Sequence, residues 1–335
     1  MSEQAFLAAA RDGDGDAFAR LIEPYRTELR AHCYRMLGSV HDAEDALQET
    51  LLRAWRALDR FEGRSSLRSW LYTVATNVCL RAIERRPKRV LPIDYGPAAA
   101  DPHADTGAPL SESVWVEPYP DEGLHGLAGP DARYELRESV ELAFVAALQH
   151  LPAQQRAVLI MRDVLGFSGA EVAAALDTNP DAVYSALQRA HKTVEQRLPA
   201  QSQQATLRSL GDEGLREIVE TYVDAWERND IDALVEKLAE DAVVSMPPVP
   251  TWFRGRDTVA AFLREKPFAD RYRWRIVPTR ANGQPAFGHY LWDDDAEAFV
   301  AREVIVLTLD GDRIAEITAF RDPDLLEHFG LPDKL

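Results

Sequence analysis

Apolar positions in residues 1 to 86 recur at helical spacing almost throughout. In "DAEDALQETLLRAWRAL", Ala43, Ala46, Leu47, Thr50, Leu51, Ala54, Trp55 and Leu58 step alternately by three and one, which predicts a helix with one buried stripe. The opposite face carries Asp45, Gln48, Glu49, Leu52 and Arg56, with Leu52 an apolar residue among polar ones. "FEGRSS" interrupts the pattern. It resumes in "LRSWLYTVATNVCLRAIERR", where Leu67, Leu71, Val74, Ala75, Val78 and Ala82 point inward. The other side of that helix holds Arg68, Tyr72, Thr73, Thr76, Asn77, Leu80 and Arg81.

Residues 87 to 133 contain eight prolines and five glycines with little periodicity, which predicts an irregular linker between domains. Trp115 and Tyr119 are unusual in a plain tether and are expected to dock on something. Helical patterning returns over 134–198. Ser168 and Glu171 have capping-box spacing before "SGAEVAAAL". "DTN" then turns the chain into "NPDAVYSALQRAHK", with Asn179 as cap and Pro180 in the first helical position. Helix, short turn and helix at this length form a helix-turn-helix pattern. Val183, Leu187, Ala190 and Val194 face inward, leaving Asp181, Tyr184, Ser185, Gln188, Arg189 and Lys192 outward as candidate base and phosphate contacts.

A second linker, 199–206, leads into an α+β pattern. "LREIVETYVDAW" is an amphipathic helix, and "AVVSM", "RWRIVPT", "AFGHYLW", "REVIVLTL" and "RIAEITAF" read as strands. "LDGD" between the last two is a hairpin signal. The expected boundaries are 1–90, a linker at 91–133, 134–198, a linker at 199–206, an α+β domain at 207–330 and a tail at 331–335.

The chain has 335 residues and a formal net charge of −17. The acidity is uneven: residues 1–90 carry +2, 91–133 carry −7, 134–198 carry −2 and 199–335 carry −10. The charge that would repel nucleic acid therefore lies mainly outside the segments patterned to touch it. Two cysteines without paired spacing indicate neither a disulfide framework nor a zinc site, and no metal or cofactor is expected. No apolar run approaches the roughly 20 residues of a membrane span. With no signal peptide pattern at the start, the expected protein is cytoplasmic, with no membrane partner.

"DAEDALQETLLRAWRAL…FEGRSSLRSWLYTVATNVCLRAIERR" resembles region 2 of extracytoplasmic-function sigma factors of bacterial RNA polymerase. "LPAQQRAVLIMRDVLGFSGAEVAAALDTNPDAVYSALQRAHKTV" resembles region 4 of the same family, in the same order. "TYVDAWERNDIDALVEKLAEDAVVSMPPVPTWFRGRDTVAAFL" resembles SnoaL-like domains, so the whole is similar to the sigma-factor subgroup with a fused SnoaL-like extension. "WVEPYPD" and the terminal "PDKL" are similar to short motifs of that subgroup. The implied fold is multidomain, with two all-α sigma domains and a cone-shaped α+β SnoaL-like domain.

The resemblance implies that Asp45, Gln48, Glu49, Leu52 and Arg56 dock on core RNA polymerase. It implies that Arg64, Ser65, Ser66, Tyr72, Thr73, Thr76, Asn77 and Arg81 receive the opened −10 element of promoter DNA, where polar and aromatic groups hold unstacked bases. Arg85, Arg86, Lys88 and Arg89 would neutralise phosphates. Trp70 fits either a core residue or a wedge. Asp181, Tyr184, Ser185, Gln188, Arg189 and Lys192 would read the −35 duplex. Many members carry basic residues where Tyr184 and Ala186 stand, so weak autonomous DNA binding is expected. Tyr222, Trp226, Met246, Trp252, Phe253, His289 and Trp292 are candidates to line a SnoaL-like pocket, with no forced acid–base pair and no catalytic residue. His289 reads as structural. The C-terminal domain is expected to regulate in cis by contact with region 2 and the linker, with "LPDKL" reaching into that contact. The competing reading is a ligand-sensing one-component regulator, which would bind duplex DNA specifically without polymerase. An enzyme with a DNA-binding appendage ranks third.

Overall fold

Four helices open the chain, and each has a side-chain cap written in the sequence. Ser2 caps α1 (Glu3–Arg11), Asp14 caps α2 (Gly15–Leu37), Ser39 caps α3 (Val40–Ala57) and Ser66 caps α4 (Leu67–Ile83). A Ser or Asp oxygen at this position accepts from an otherwise orphaned backbone N–H. Helix α2 ends at Gly38 with φ 71°, and a Cβ there would meet Gln149 at 3.0 Å, so glycine serves both the turn and the packing. In this computed structural model the described residues are 2–103, 105–110, 114–124, 138–269 and 272–335.

The six expected segments fall into two compact units. One compact unit comprises Met1–Lys88 with Gly123–Leu198, so the two helical segments pack together rather than standing apart. The other comprises Arg89–Glu122 with Pro199–Leu335.

A short helix, α5 (Pro92–Tyr95), belongs to the second unit, and the chain re-enters the first with α6 (Leu142–Gln149), α7 (Ala153–Leu159) and a π turn over Ile160–Val164. The helix-turn-helix follows as α8 (Gly169–Ala175) and α9 (Pro180–Glu195). The Ser168–Glu171 capping box forms as expected, and Asn179 Oδ1 accepts from the Ala182 N–H at 2.9 Å. Buried Arg156 joins the two halves of this unit. It donates to the Met36 carbonyl at the end of α2 and to Gln149 Oε1, Gln149 O and Leu151 O. Arg35 of α2 likewise donates to Ser139 O at 3.1 Å and to Ser139 Oγ at 2.8 Å. Trp70 is half-buried: it packs against the Ala10, Ala17 and Leu58 cluster and against Phe61, with ring centroids 5.1 Å apart.

The second unit is built on a six-stranded sheet: β1 (Leu238–Ser245), β2 (Trp252–Arg254), β3 (Trp274–Ala281), β4 (Gln284–Asp293), β5 (Ala298–Asp310) and β6 (Arg313–Phe320). The strand order is β2-β1-β6-β5-β4-β3, with β1 and β6 parallel and every other pair antiparallel. The "LDGD" hairpin joins β5 to β6 through Asp310↔Arg313. An "NG" turn at Asn282 (φ 56°) and Gly283 (φ 72°) joins β3 to β4. Helices α10 (Gln203–Glu227, broken at Gly211) and α11 (Ile231–Lys237) precede the sheet, and α12 (Arg256–Glu265) lies between β2 and β3. Ile218, Tyr222 and Trp226 of α10 sink into the core with Phe253, Phe287 and Ile305.

Three expectations about connecting segments change. Residues 89–122 are not a free tether. The short helix α5 (Pro92–Tyr95) and the chain after it are fixed to the sheet domain. The Trp252 indole donates to Gly96 O, Ala99 N to Trp252 O, the Thr251 hydroxyl to Thr106 O, and the Trp115 indole to Pro248 O. Tyr119 and Asn282 exchange two hydrogen bonds of 2.9 and 2.8 Å, and Asp121 accepts from Gly283 N. Residues 199–206 are not a linker either, because Gln203 and Gln204 are buried in α10 and bond Leu309 and Gly283. The tail after α13 (Leu325–His328) pairs with β5 of its own domain, through Phe299 with Leu335 and Ala301 with Asp333. The remaining part of the expected linker and the start of the next segment, 125–137, lie outside the described residues.

Candidate nucleic-acid interface and domain cavity

Three faces of the helical unit carry the candidate contacts. On α3, Asp45, Gln48, Leu52 and Arg56 are exposed and Glu49 is half-exposed. Leu52 is 51% exposed, an apolar side chain in water amid polar neighbours. Its helix buries Ala43, Ala46, Leu47, Thr50 and Ala54 on the other side, so the stripe read from the sequence fixes which face remains outward.

On α9, all six candidates, Asp181, Tyr184, Ser185, Gln188, Arg189 and Lys192, are exposed, and Tyr184 stands 64% in solvent. Val183, Ala186, Ala190 and Val194 anchor the helix from behind. This is the disposition a major-groove helix needs, with rigid backing and polar groups in front.

Helix α4 is different. Arg64, Ser65 and Arg81 are exposed, but Tyr72 and Thr76 are buried and Thr73 and Asn77 half-buried. The Tyr72 hydroxyl donates to Glu28 at 3.0 Å, and its ring meets Phe167 edge-on at 5.5 Å. The Arg68 guanidinium lies 5.0 Å from the centroids of both the Tyr72 and Phe167 rings. Thr76 Oγ1 lies 2.9 Å from His32 Nε2 and 3.8 Å from Met161 Sδ. The Ser69 hydroxyl donates to Glu171 at 3.3 Å. Phe167, Met161 and Glu171 belong to the helix-turn-helix half, so that half covers the middle of α4. Ser66 is exposed but its hydroxyl is committed to capping α4. Thr73 and Asn77 bond back to carbonyls of their own helix.

Burial sets the electrostatics under this cover. It pulls the His32 imidazole down to about 3, with Arg35 adding to the effect, and pushes the Tyr72 phenol far up. Of the expected phosphate contacts, Arg85 is exposed. Arg86 pairs with Asp42, and Lys88 meets His150 Nδ1 at 2.8 Å. Arg89 is a correction: it is buried and donates to Trp115 O at 2.6 Å, with Glu117 at 3.4 Å.

The sheet domain carries a half-open cavity of about 610 Å³. Of the expected pocket residues, Trp226 and Met246 line it. Tyr222 and His289 are core: the Tyr222 hydroxyl lies 3.1 Å from His289 Nε2, and burial takes the imidazole down to about 3. Phe253 stacks on Phe262 in the core at 4.5 Å, with only Phe262 reaching the cavity wall. Trp252 instead holds Gly96, and Trp292 packs on Phe299. The residue that sequence reasoning missed is Glu303, a carboxylate on the cavity wall that is 9% exposed. Its signal was a lone acid in "REVIVLTL", where strand alternation turns it toward the core side.

The comparisons with known proteins agree with this geometry. A sigma-70 region 2 model matches residues 21–89, a sigma-70 region 4 model matches 141–194, and a SnoaL-like domain model matches 219–317. These define a sigma factor of the sigma-70 class with an added α+β domain. A relative named ECF RNA polymerase sigma factor SigG, from Mycobacterium tuberculosis, is 42% identical over 336 residues, covering 100% of this chain and 89% of its own. The chain belongs to the ECF RNA polymerase sigma factors, which direct transcription initiation, and carries a C-terminal SnoaL-like domain. The Escherichia coli ECF RNA polymerase sigma-E factor is 25% identical over 198 residues, 59% of this chain and 95% of that relative. The crystal structure of the M. tuberculosis extracytoplasmic function sigma factor SigJ matches with a TM-score of 0.57 at 22% identity, covering 92% of this chain and 97% of that one, a likeness of fold.

Proposed function

We propose that this sigma factor binds core RNA polymerase through the outer face of α3, holds the opened −10 strand along α4 and its preceding loop, and reads the −35 duplex with α9. The observation that carries this reading is the exposed face of α3, where Leu52 offers an apolar anchor ringed by Asp45, Gln48, Glu49 and Arg56. An apolar centre with a polar rim is the layout of a binding hot spot. The face of α4 under Phe167 and Met161 is the closed form, and region 4 must move away before bases reach Tyr72 and Thr76. The C-terminal domain regulates this opening in cis, by restraining the segment that joins the two sigma regions. The hydrogen bonds that tie Gly96, Ala99, Thr106 and Trp115 to that domain support the reading. Among the described residues, no helix is long and apolar enough to cross a membrane.

The test is binding of the full chain and of Leu52→Asp to bacterial core polymerase across a salt series. The expected result is saturable binding by the parent chain, weakened at least about tenfold in the variant. The melting temperature should change little, because Leu52 already stands half in solvent on the outer face of α3. Failure of the parent chain to bind core polymerase at any salt concentration would sink the reading.

A further inference from the structure

Cys33 and Cys79 have no spacing that pairs them in the sequence, yet the helical unit brings them together. Helices α2 and α4 lie side by side and run in one direction: Glu28 accepts from the Tyr72 hydroxyl and His32 meets Thr76 Oγ1, each pair 44 positions apart. Cys33 follows His32 directly, and Cys79 lies one turn after Thr76. The same register therefore sets the two thiols against each other. Both are free and fully buried, and they share a hydrogen bond. Polymerase and promoter binding leave this pair unused.

The half of the unit that covers Thr76 also reaches Cys79. Helix α7 packs on α4, and the Arg156 guanidinium of α7 stands close enough to act on the Cys79 sulfur. The hydrogen bond with Cys33, then burial, holds the Cys79 thiol well above its ordinary range, with Arg156 opposing. A thiol kept protonated and away from solvent is inert toward oxidants. The closed form thus shields the pair, and lifting the helix-turn-helix half takes Arg156 and Met161 from beside it.

We propose that Cys33 and Cys79 are a reversible disulfide-forming pair, oxidised by a peroxide only after the helix-turn-helix half has lifted from α4. The proposal rests on the closed and opened forms described under the proposed function. The Cys33 sulfur, its proton released to water, attacks a peroxide oxygen. The O–O bond breaks, a sulfenic acid forms, and the displaced hydroxide takes up a proton as water. The Cys79 sulfur then attacks the sulfenic sulfur, so the S–S bond forms and the S–O bond breaks, and the hydroxyl leaves as water with the Cys79 proton. Both electrons come from the thiols and reduce the peroxide. An S–S bond of about 2.05 Å is shorter than any thiol contact, so it also fixes α4 to α2 one turn beyond Thr76. Oxidation in this way marks the chain that has opened.

The experiment treats the full chain with hydrogen peroxide, quenches with an alkylating agent at intervals, and maps the peptides without reduction. The expected result is a Cys33–Cys79 cross-link that forms slowly in the parent chain and is reversed by dithiothreitol. Phe167→Ala, which removes a ring of the cover, should speed its formation by at least about tenfold, equal to a shift of about 1.4 kcal/mol in opening. Leu47→Ala, a core loss in α3, controls for unfolding of the whole unit and should speed it less. Should Phe167→Ala fail to fold, Phe167→Leu takes its place, keeping bulk but losing the ring contacts to Tyr72 and Arg68. No cross-link, a cross-link only between chains, equal rates in the parent and the Phe167 variant, or equal acceleration by Leu47→Ala would each overturn the proposal. Neither polymerase nor DNA is present, so failure here leaves the sigma-factor reading intact.

Discussion

Helices α4 and α9 both carry polar and aromatic residues suited to DNA, yet the fold holds them in opposite states. Helix α9 buries one thin stripe and leaves Tyr184, Gln188 and Arg189 in water. Helix α4 is packed on two sides, by α2 through Glu28 and His32 and by the helix-turn-helix half through Met161 and Phe167. On the proposed roles, the difference follows from what each would hold. A duplex offers its groove ready made, so a reading helix can stay open. Unstacked bases need aromatic and partly apolar company, and a surface of that kind also attracts protein while DNA is absent.

Phe167→Ala strikes this contrast hardest. It removes a buried ring, 4% exposed, from against Tyr72 and Arg68. Urea unfolding should show the helical unit weakened by about 3–5 kcal/mol. At urea concentrations where the fold persists, a single-stranded −10 oligonucleotide should bind better than it does to the parent chain. Unchanged or weaker oligonucleotide binding would mean that the cover does not gate α4.

Acid acts next. His32 sits under the same cover, buried and neutral, with its imidazole lowered to about 3 from 6.5. The unfolded chain therefore binds the extra proton first, so stability is full above pH 6.5 and falls as pH drops toward 3. The loss at pH 5 should be about 2 kcal/mol from this group. His289 of the sheet domain follows the same sign for the same reason. His32→Gln should flatten the slope for the helical unit alone, measured by urea midpoints between pH 7 and 5. A slope that survives the substitution would move the cause elsewhere.

The smallest effect is expected on the open helix. Arg189→Ala should leave stability within about 0.5 kcal/mol, as for other surface positions. In the polymerase complex it should cost about 1–3 kcal/mol of discrimination among −35 sequences. Equal loss on every sequence would make Arg189 a phosphate contact instead.

Most of the helical unit was legible because its signals are local. Caps at Ser168 and Asn179 and the stripe of α3 depend on residues within a turn or two of one another. The hairpin at "LDGD" is equally local. The "NG" turn at Asn282–Gly283 was present in the sequence but not used, and with it the docking of Tyr119 would have been easier to place. Arg89 looked like one more phosphate contact at the end of a basic run, and only the fold of 89–122 buries it against Trp115.

The sequence by itself determined where helices start and stop, which stripe of α3 and α9 faces inward, and the order of sigma-type and SnoaL-like parts. Tertiary structure alone decided that Tyr72 and Thr76 lie covered, that residues 89–122 belong to the sheet domain, and that Glu303 rather than His289 faces the cavity. The reason is range. Capping and periodicity act over a few residues, whereas the first two of these outcomes depend on partners 85 residues away for Thr76 with Met161 and 133 away for Trp115 with Pro248.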